Sequence, residues 1–232
     1  MADGGPDLTG GLRVDVLRRT IWNHRGEFLQ GLVVTAQVCL IAFVVAMAIG
    51  LVVCLIRMYC RPLRWLAILY IEFCRSTPIY VQLMWVNYVW PELFGWPTAF
   101  FDAGWAALAL QSSGYLAETF RAGIEGVSRG QREAALSTGL SSTLSMRWII
   151  LPQALLIMTP SLMNQFLVVV KSSSLVSVIA VPDLMYRALR LTSIWFEPIE
   201  ILSFTAFLYV LIVFALSAGI KWYSDRLRAR YA

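Results

Sequence analysis

Apolar runs long enough to cross a bilayer alternate in this chain with short polar segments that carry arginine. No charged side chain lies between Glu27 and Arg57. Two more uncharged runs occupy residues 148–170 and 201–220. Each reaches or exceeds the ~20 residues an α-helix needs to span the hydrocarbon. Two less uniform segments bring the predicted spans to five, at residues 29–56, 65–90, 100–121, 149–170 and 199–223. Backbone amides in lipid need internal partners, so spans of this kind form helices. The expected fold class is an all-α polytopic membrane protein with five transmembrane helices.

Finer patterns sit inside these runs. Ala42, Ala46 and Gly50 recur every fourth residue, and so do Ala109, Ser113 and Ala117. Such stripes of small residues let helix backbones approach closely. Pro78 should kink the second span. Glu72 and Arg75 lie three apart in that span, on one face. Either they pair and fix packing, or they line a polar pathway. Residues 175–181 are apolar but too short to cross, and Pro182 ends them. They predict a partly re-entrant or interfacial piece. Residues 12–28 mix Arg13, Arg18, Arg19 and Arg25 with Leu17, Ile21 and Trp22, a pattern for a short interfacial helix. The expected layout is an N-terminal tail over residues 1–28, a transmembrane domain over 29–223 and a C-terminal tail over 224–232.

Composition agrees. Hydrophobic residues make up 59% and charged residues 14%, against ~25% charged in a soluble domain. The net charge of +5 would suggest nucleic acid in a soluble protein. Here the basic residues mark one side of the membrane. Arg57, Arg61 and Arg64 follow the first span, Arg121, Arg129, Arg132 and Arg147 flank the central loop, and Lys221, Arg226, Arg228 and Arg230 close the chain. Placing all of them in the cytoplasm gives an N-out/C-in topology, against the arginines of the N-terminal tail. The polar, acidic start does not resemble a signal peptide, so the first apolar run is expected to remain as a helix. The four cysteines form no C-x-x-C pair and His24 is the single histidine, so a metal site is not expected.

The central loop, about residues 122–148, has structure of its own. Glu133, Ala134, Ala135 and Leu136 favour helix. Gly139 tolerates positive φ and so ends a helix readily. Ser141, Ser142 or Thr143 can cap the next one. The prediction is a cytoplasmic helix-Gly-helix loop, with Ala134, Ala135 and Leu136 as a surface that a partner could bury and push.

Glu133-Ala134-Ala135, three residues, Gly139, nine residues, Ile149, one residue and Leu151-Pro152 together resemble the EAA loop of bacterial ABC importer permeases at every position. The segments at residues 72–78, 81–83, 115–124, 164–166 and 171–183 resemble the polar amino-acid (histidine/glutamate-type) subfamily. One departure is Lys171-Ser172-Ser173-Ser174, where relatives often carry Lys-Asp-Thr-Ser.

The resemblance implies the permease subunit of an ATP-driven importer in the bacterial cytoplasmic (inner) membrane, coupled to a separate ATPase. It implies a second permease chain, identical or similar, and an ATP-binding cassette ATPase dimer docked at Glu133, Ala134, Ala135, Leu136 and Gly139. An extracytoplasmic amino-acid-binding protein would deliver the ligand. ATP and magnesium would sit in the ATPase, because this chain has no G-x-x-x-x-G-K-[ST] loop. No cofactor, catalytic residue or nucleic-acid partner is expected here. Candidate substrate-pathway residues are the polar groups at membrane depth: Glu72, Arg75, Ser76, Thr77, Gln82, Gln111, Asn164, Gln165 and Lys171. Arg75 or Lys171 could meet an α-carboxylate and Glu72 an α-ammonium, with a faint lean toward an acidic ligand. Equally open are interhelical hydrogen bonds for Asn164 and Gln165 and a snorkelling role for Lys171. An ion-driven carrier or channel is the second reading. It is weakened by few spans and no obvious repeat. A membrane enzyme is weaker still, with no H-E-x-x-H or G-x-S-x-G motif.

Overall fold

The computed structural model of the chain describes residues 22–231, and no strand occurs among them. The first helix, α1 (Arg25–Tyr59), has 35 residues. At 1.5 Å per residue it is about 52 Å long. It outruns the predicted span at both ends. Residues 25–28 continue the span instead of belonging to an interfacial helix, because no breaker separates them from the apolar run. The rest of that expected helix, up to residue 21, lies outside the described residues.

The core is a close pairing of α1 with α5 (Phe100–Glu125). Ala42, Ala46, Gly50, Ala109, Ser113 and Ala117 are all buried. A Cβ on Gly50 would sit 2.9 Å from the Ser113 carbonyl oxygen and 3.0 Å from the Ala117 nitrogen. The two small-residue stripes therefore meet each other, and both backbones depend on the absence of bulk there.

The second predicted span is not one kinked helix. It is broken into α2 (Arg64–Ser76) and α3 (Ile79–Tyr88). Thr77 is extended, with φ −86° and ψ 128°, as the residue before a proline prefers. Pro78 has no N–H to give the Cys74 carbonyl. Gln82 supplies the donor instead, through Nε2 at 3.0 Å. Gln111 Nε2 reaches the Thr77 carbonyl at 3.5 Å. Two glutamine side chains thus serve the backbone opened by the break, as backbone carbonyls turned away from water require. A short helix α4 (Trp90–Phe94) follows and ends at Gly95, whose φ is +68°.

The central loop contains α6 (Arg129–Ser137) and α7 (Ser142–Ser145). A π-helical turn, Met146–Ile150, joins α7 to α8 (Leu151–Ser172). The apolar piece expected not to span is a 3₁₀ helix, Ser173–Ile179, whose Ser173, Val176, Ser177 and Ile179 are buried. Asp183 caps α9 (Leu184–Trp195), its Oδ1 accepting from the Tyr186 N–H at 2.8 Å. This helix is fastened to α1. The Leu184 N–H donates to Thr35 Oγ1 at 3.1 Å, and Arg187 pairs with Glu27. The last helix, α10 (Pro198–Tyr231), packs on α8 and α9. It leaves Phe207, Val210, Leu211 and Phe214 exposed.

Among the described residues, three helical stretches are long and apolar enough to cross a membrane: Arg25–Tyr59, Ser142–Ile179 and Pro198–Trp222. α5 has 26 residues, about 39 Å, which is also enough length. It is rich in alanine, glycine and serine because it is enclosed by α1, α2, α3 and α8.

Candidate docking loop and polar pathway

The docking loop is built from local rules. α6 ends where Gly139 adopts φ +82°, a conformation that costs other residues ~1–2 kcal/mol. The last carbonyls of α6 are satisfied on the spot. Thr138 N donates to Ala134 O at 3.2 Å and Gly139 N to Leu136 O at 3.0 Å. The Thr138 hydroxyl donates to Ala135 O at 2.8 Å. Ser141 then caps α7, its Oγ accepting from Leu144 N at 3.4 Å. The helix-Gly-helix elbow read from the sequence is the local structure formed.

Its faces differ from the expectation at one position. Glu133, Ala134, Leu136 and Gly139 are exposed. Ala135 is only 2% exposed, so it packs inward. It lies one turn from Arg132, which is also turned toward the body of the protein. Leu144 and Trp148 add exposed apolar area near the elbow.

Behind the elbow, charges tie α1 to α5. Arg57 Nη1 donates to Glu118 Oε2 at 2.5 Å. Arg121 pairs with Glu118 and with Glu125. Sequence reasoning used Arg57 and Arg121 only as topology markers and did not single out Glu118. The available signal was the i,i+3 spacing of Glu118 and Arg121 on a helix otherwise poor in charge.

The pathway candidates do not converge. Arg75 and Glu72 are 3.9 Å apart, with side chains 39% and 59% exposed, so theirs is a weak, open pair. Arg75 also lies over the Tyr115 ring, 5.5 Å from its centroid. Both line a cavity of about 290 Å³ with Glu118, Thr119 and Ser161. Ser76 is exposed and Thr77 half-buried at the helix break. Gln82 is 1% exposed, so it forms wall rather than lumen. Asn164 lines a second cavity of about 270 Å³ between α8 and α10, with Ser217 and Lys221. Gln165 is half-buried beside it. Lys171 lines a third cavity of about 340 Å³, with Ser174, Thr205 and Tyr209. Among the described residues, no group of histidine, cysteine and acidic side chains could hold a metal.

Long helices with exposed apolar faces around a pair joined by small residues mark a membrane protein. Residues 42–232 match the family described as the binding-protein-dependent transport system inner membrane component. The chain belongs to that family, the permease subunits of ABC transport systems, and its place is the inner membrane. It is 37% identical to the probable glutamine ABC transporter permease protein GlnM of Bacillus subtilis (strain 168), over 91% of this chain and 98% of that one. It is 32% identical to the arginine transport system permease protein ArtQ of the same organism, over 82% and 87%. A solved structure described as an amino acid ABC transporter with histidines superposes with a TM-score of 0.84 at 34% identity, covering 90% of this chain and 97% of that one. The MetNI methionine transporter shares the fold, with a TM-score of 0.66 at 16% identity.

Proposed function

We propose that this chain is the permease component of an amino-acid ABC importer, driven by a separate ATPase that docks on the α6–Gly139–α7 elbow. The observation that carries this reading is the elbow itself: two helices joined at Gly139, the second capped by Ser141, with Glu133, Ala134 and Leu136 outward. The names of the relatives support amino acids as cargo. Five spans, N-out/C-in, put the elbow in the cytoplasm, the ATPase's side. The spans are α1, the broken pair α2–α3, α5, α8 and α10. A second permease chain completes the pathway, and a binding protein delivers ligand from outside.

The ligand is a polar amino acid whose α-carboxylate meets Arg75 beside Tyr115. Arg75 and Lys171 line separate cavities. They do not meet one small ligand within one chain, so a carboxylate-rich ligand would have to be shared with the second permease chain. No observation favours an ion-driven carrier or channel.

The test is uptake by vesicles that contain the permease, its ATPase and the binding protein. Uptake should require internal ATP and survive an ionophore. Persistence without ATP refutes the proposal. Labelling of a thiol introduced at Ser137 by an impermeant reagent in intact cells refutes the orientation.

A further inference from the structure

We infer that Arg132 is a positioning residue that clamps α6 to the end of α5, so that force on the elbow reaches the core. This rests on α6 being the ATPase's docking helix. Only residues 126–128 connect α5 to α6, and a link starting at a glycine would bend under load. Arg132 spans that link. Its Nη2 donates to the Ile124 carbonyl at 2.6 Å. Ile124 lies in the last turn of α5, where carbonyls have no helical N–H partner and a cation complements the helix dipole. Arg132 Nε is buried as well, so the guanidinium is packed against the protein and not spread in solvent.

The surroundings fit a clamp. Val127, in the connecting link, is 3% exposed. Ala135, one turn beyond Arg132, packs on the same inward face. From Ile124 the route continues along α5 to Arg121 and Glu118, and through Glu118 to Arg57 of α1. A lesser tie joins Gln153 Nε2 of α8 to Gln131 Oε1 of α6 at 3.3 Å. Arg132 and Ala135 turn inward while Glu133 and Ala134 face outward, with the exposed Leu136 on the edge between, one turn from Arg132.

Spatial order alone does not establish coupling, so the readout is amino acid transported per ATP hydrolysed. The reconstituted complex is compared with Arg132→Gln, with Arg132→Lys and with Ala134→Trp as the docking control. Arg132→Gln should retain the ATPase on purification and hydrolyse ATP, while transport per ATP falls at least about fivefold, the lower end of typical coupling. Arg132→Lys should restore part of the ratio, since it keeps the charge without the planar fork. An unchanged ratio in Arg132→Gln overturns the clamp. Loss of the ATPase from Arg132→Gln also overturns it, by moving Arg132 to the docking face. If Arg132→Gln does not insert, Arg132→Met, which fills similar space without a donor, is read in its place, and an unchanged ratio there overturns the clamp. Ala134→Trp should lose the ATPase. If it does not, the docking reading fails separately, and the clamp fails with it.

Discussion

Replacing Gly50 by alanine tests the α1–α5 seam. The new methyl carbon would lie 2.9 Å from Ser113 O, 3.0 Å from Ala117 N and 3.0 Å from Leu116 Cβ. Two of these three neighbours are backbone atoms, which do not rotate away. Relief requires the helices to part by roughly 0.5 Å, and a gap of that size forfeits about a quarter of the dispersion well of each facing pair. Overpacking of this kind costs ~1–3 kcal/mol. Alanine's better helix propensity returns ~1 kcal/mol at most. With the full propensity return the net loss is about 0–2 kcal/mol, and the backbone contacts on two sides put it at the upper end, a fall of several degrees in melting midpoint for a chain of this size. Gly219 is the internal control. A Cβ there meets nothing within 4 Å, so Gly219→Ala should hold or raise the midpoint. The assay is detergent-solubilised protein heated in steps, with the folded fraction read by size-exclusion chromatography. A Gly50→Ala variant that melts at or above the wild type refutes the claim that the small stripes set the helix separation.

Three further outcomes are expected. Gly139→Ala forces a left-handed conformation on a residue with a Cβ, at ~1–2 kcal/mol; it should insert normally yet retain less ATPase on purification. Glu118→Gln leaves Arg57 and Arg121 sharing a neutral partner; for groups about a quarter exposed the loss is discounted to roughly 1–2 kcal/mol. Adding Arg57→Met should recover part of the lost melting midpoint, and no recovery would remove Glu118 from the α1–α5 tie. Asp183→Ala removes the α9 cap at ~1 kcal/mol, and amide exchange at Met185 and Tyr186 should quicken while exchange within α5 stays unchanged.

What could be read ahead of the structure was what short-range chemistry decides. Gly139 and Ser141 determine the elbow within a few residues of themselves. The small stripes were legible because a four-residue period places side chains on one helix face. The break at Thr77 was only half legible. Pro78 predicted a disturbance, but whether it kinked or separated the helix depended on donors for the Cys74 and Thr77 carbonyls. One of those donors, Gln111, comes from another helix. The burial of Ala135 was not legible because its neighbours decide which side of a nine-residue helix turns inward. The pathway candidates scattered for the same reason, since a polar residue type says nothing about which cavity it faces. Glu118 pairs with Arg57 across 61 positions of sequence, a separation that no local pattern encodes. The N-terminal segment up to residue 21 lies outside the described residues.

The π-helical turn between Gly139 and α8 stores one residue of slack. Its five residues, Met146–Ile150, wind more widely than an α-turn. Losing one residue from the stretch between Gly139 and Ile149 would not snap the connection. It would take up that slack, turning the π-turn into an α-turn and leaving the elbow near its present angle, whereas losing a second residue would twist everything upstream by about 100°, one residue's angular step on an α-helix. Trp148, now 67% exposed, would swing with it, and Glu133 would aim elsewhere. The nine-residue interval is thus a torsional setting as well as a length. A chain shortened by that second residue, inserting normally but no longer retaining its motor, would be the mark of a mis-set angle.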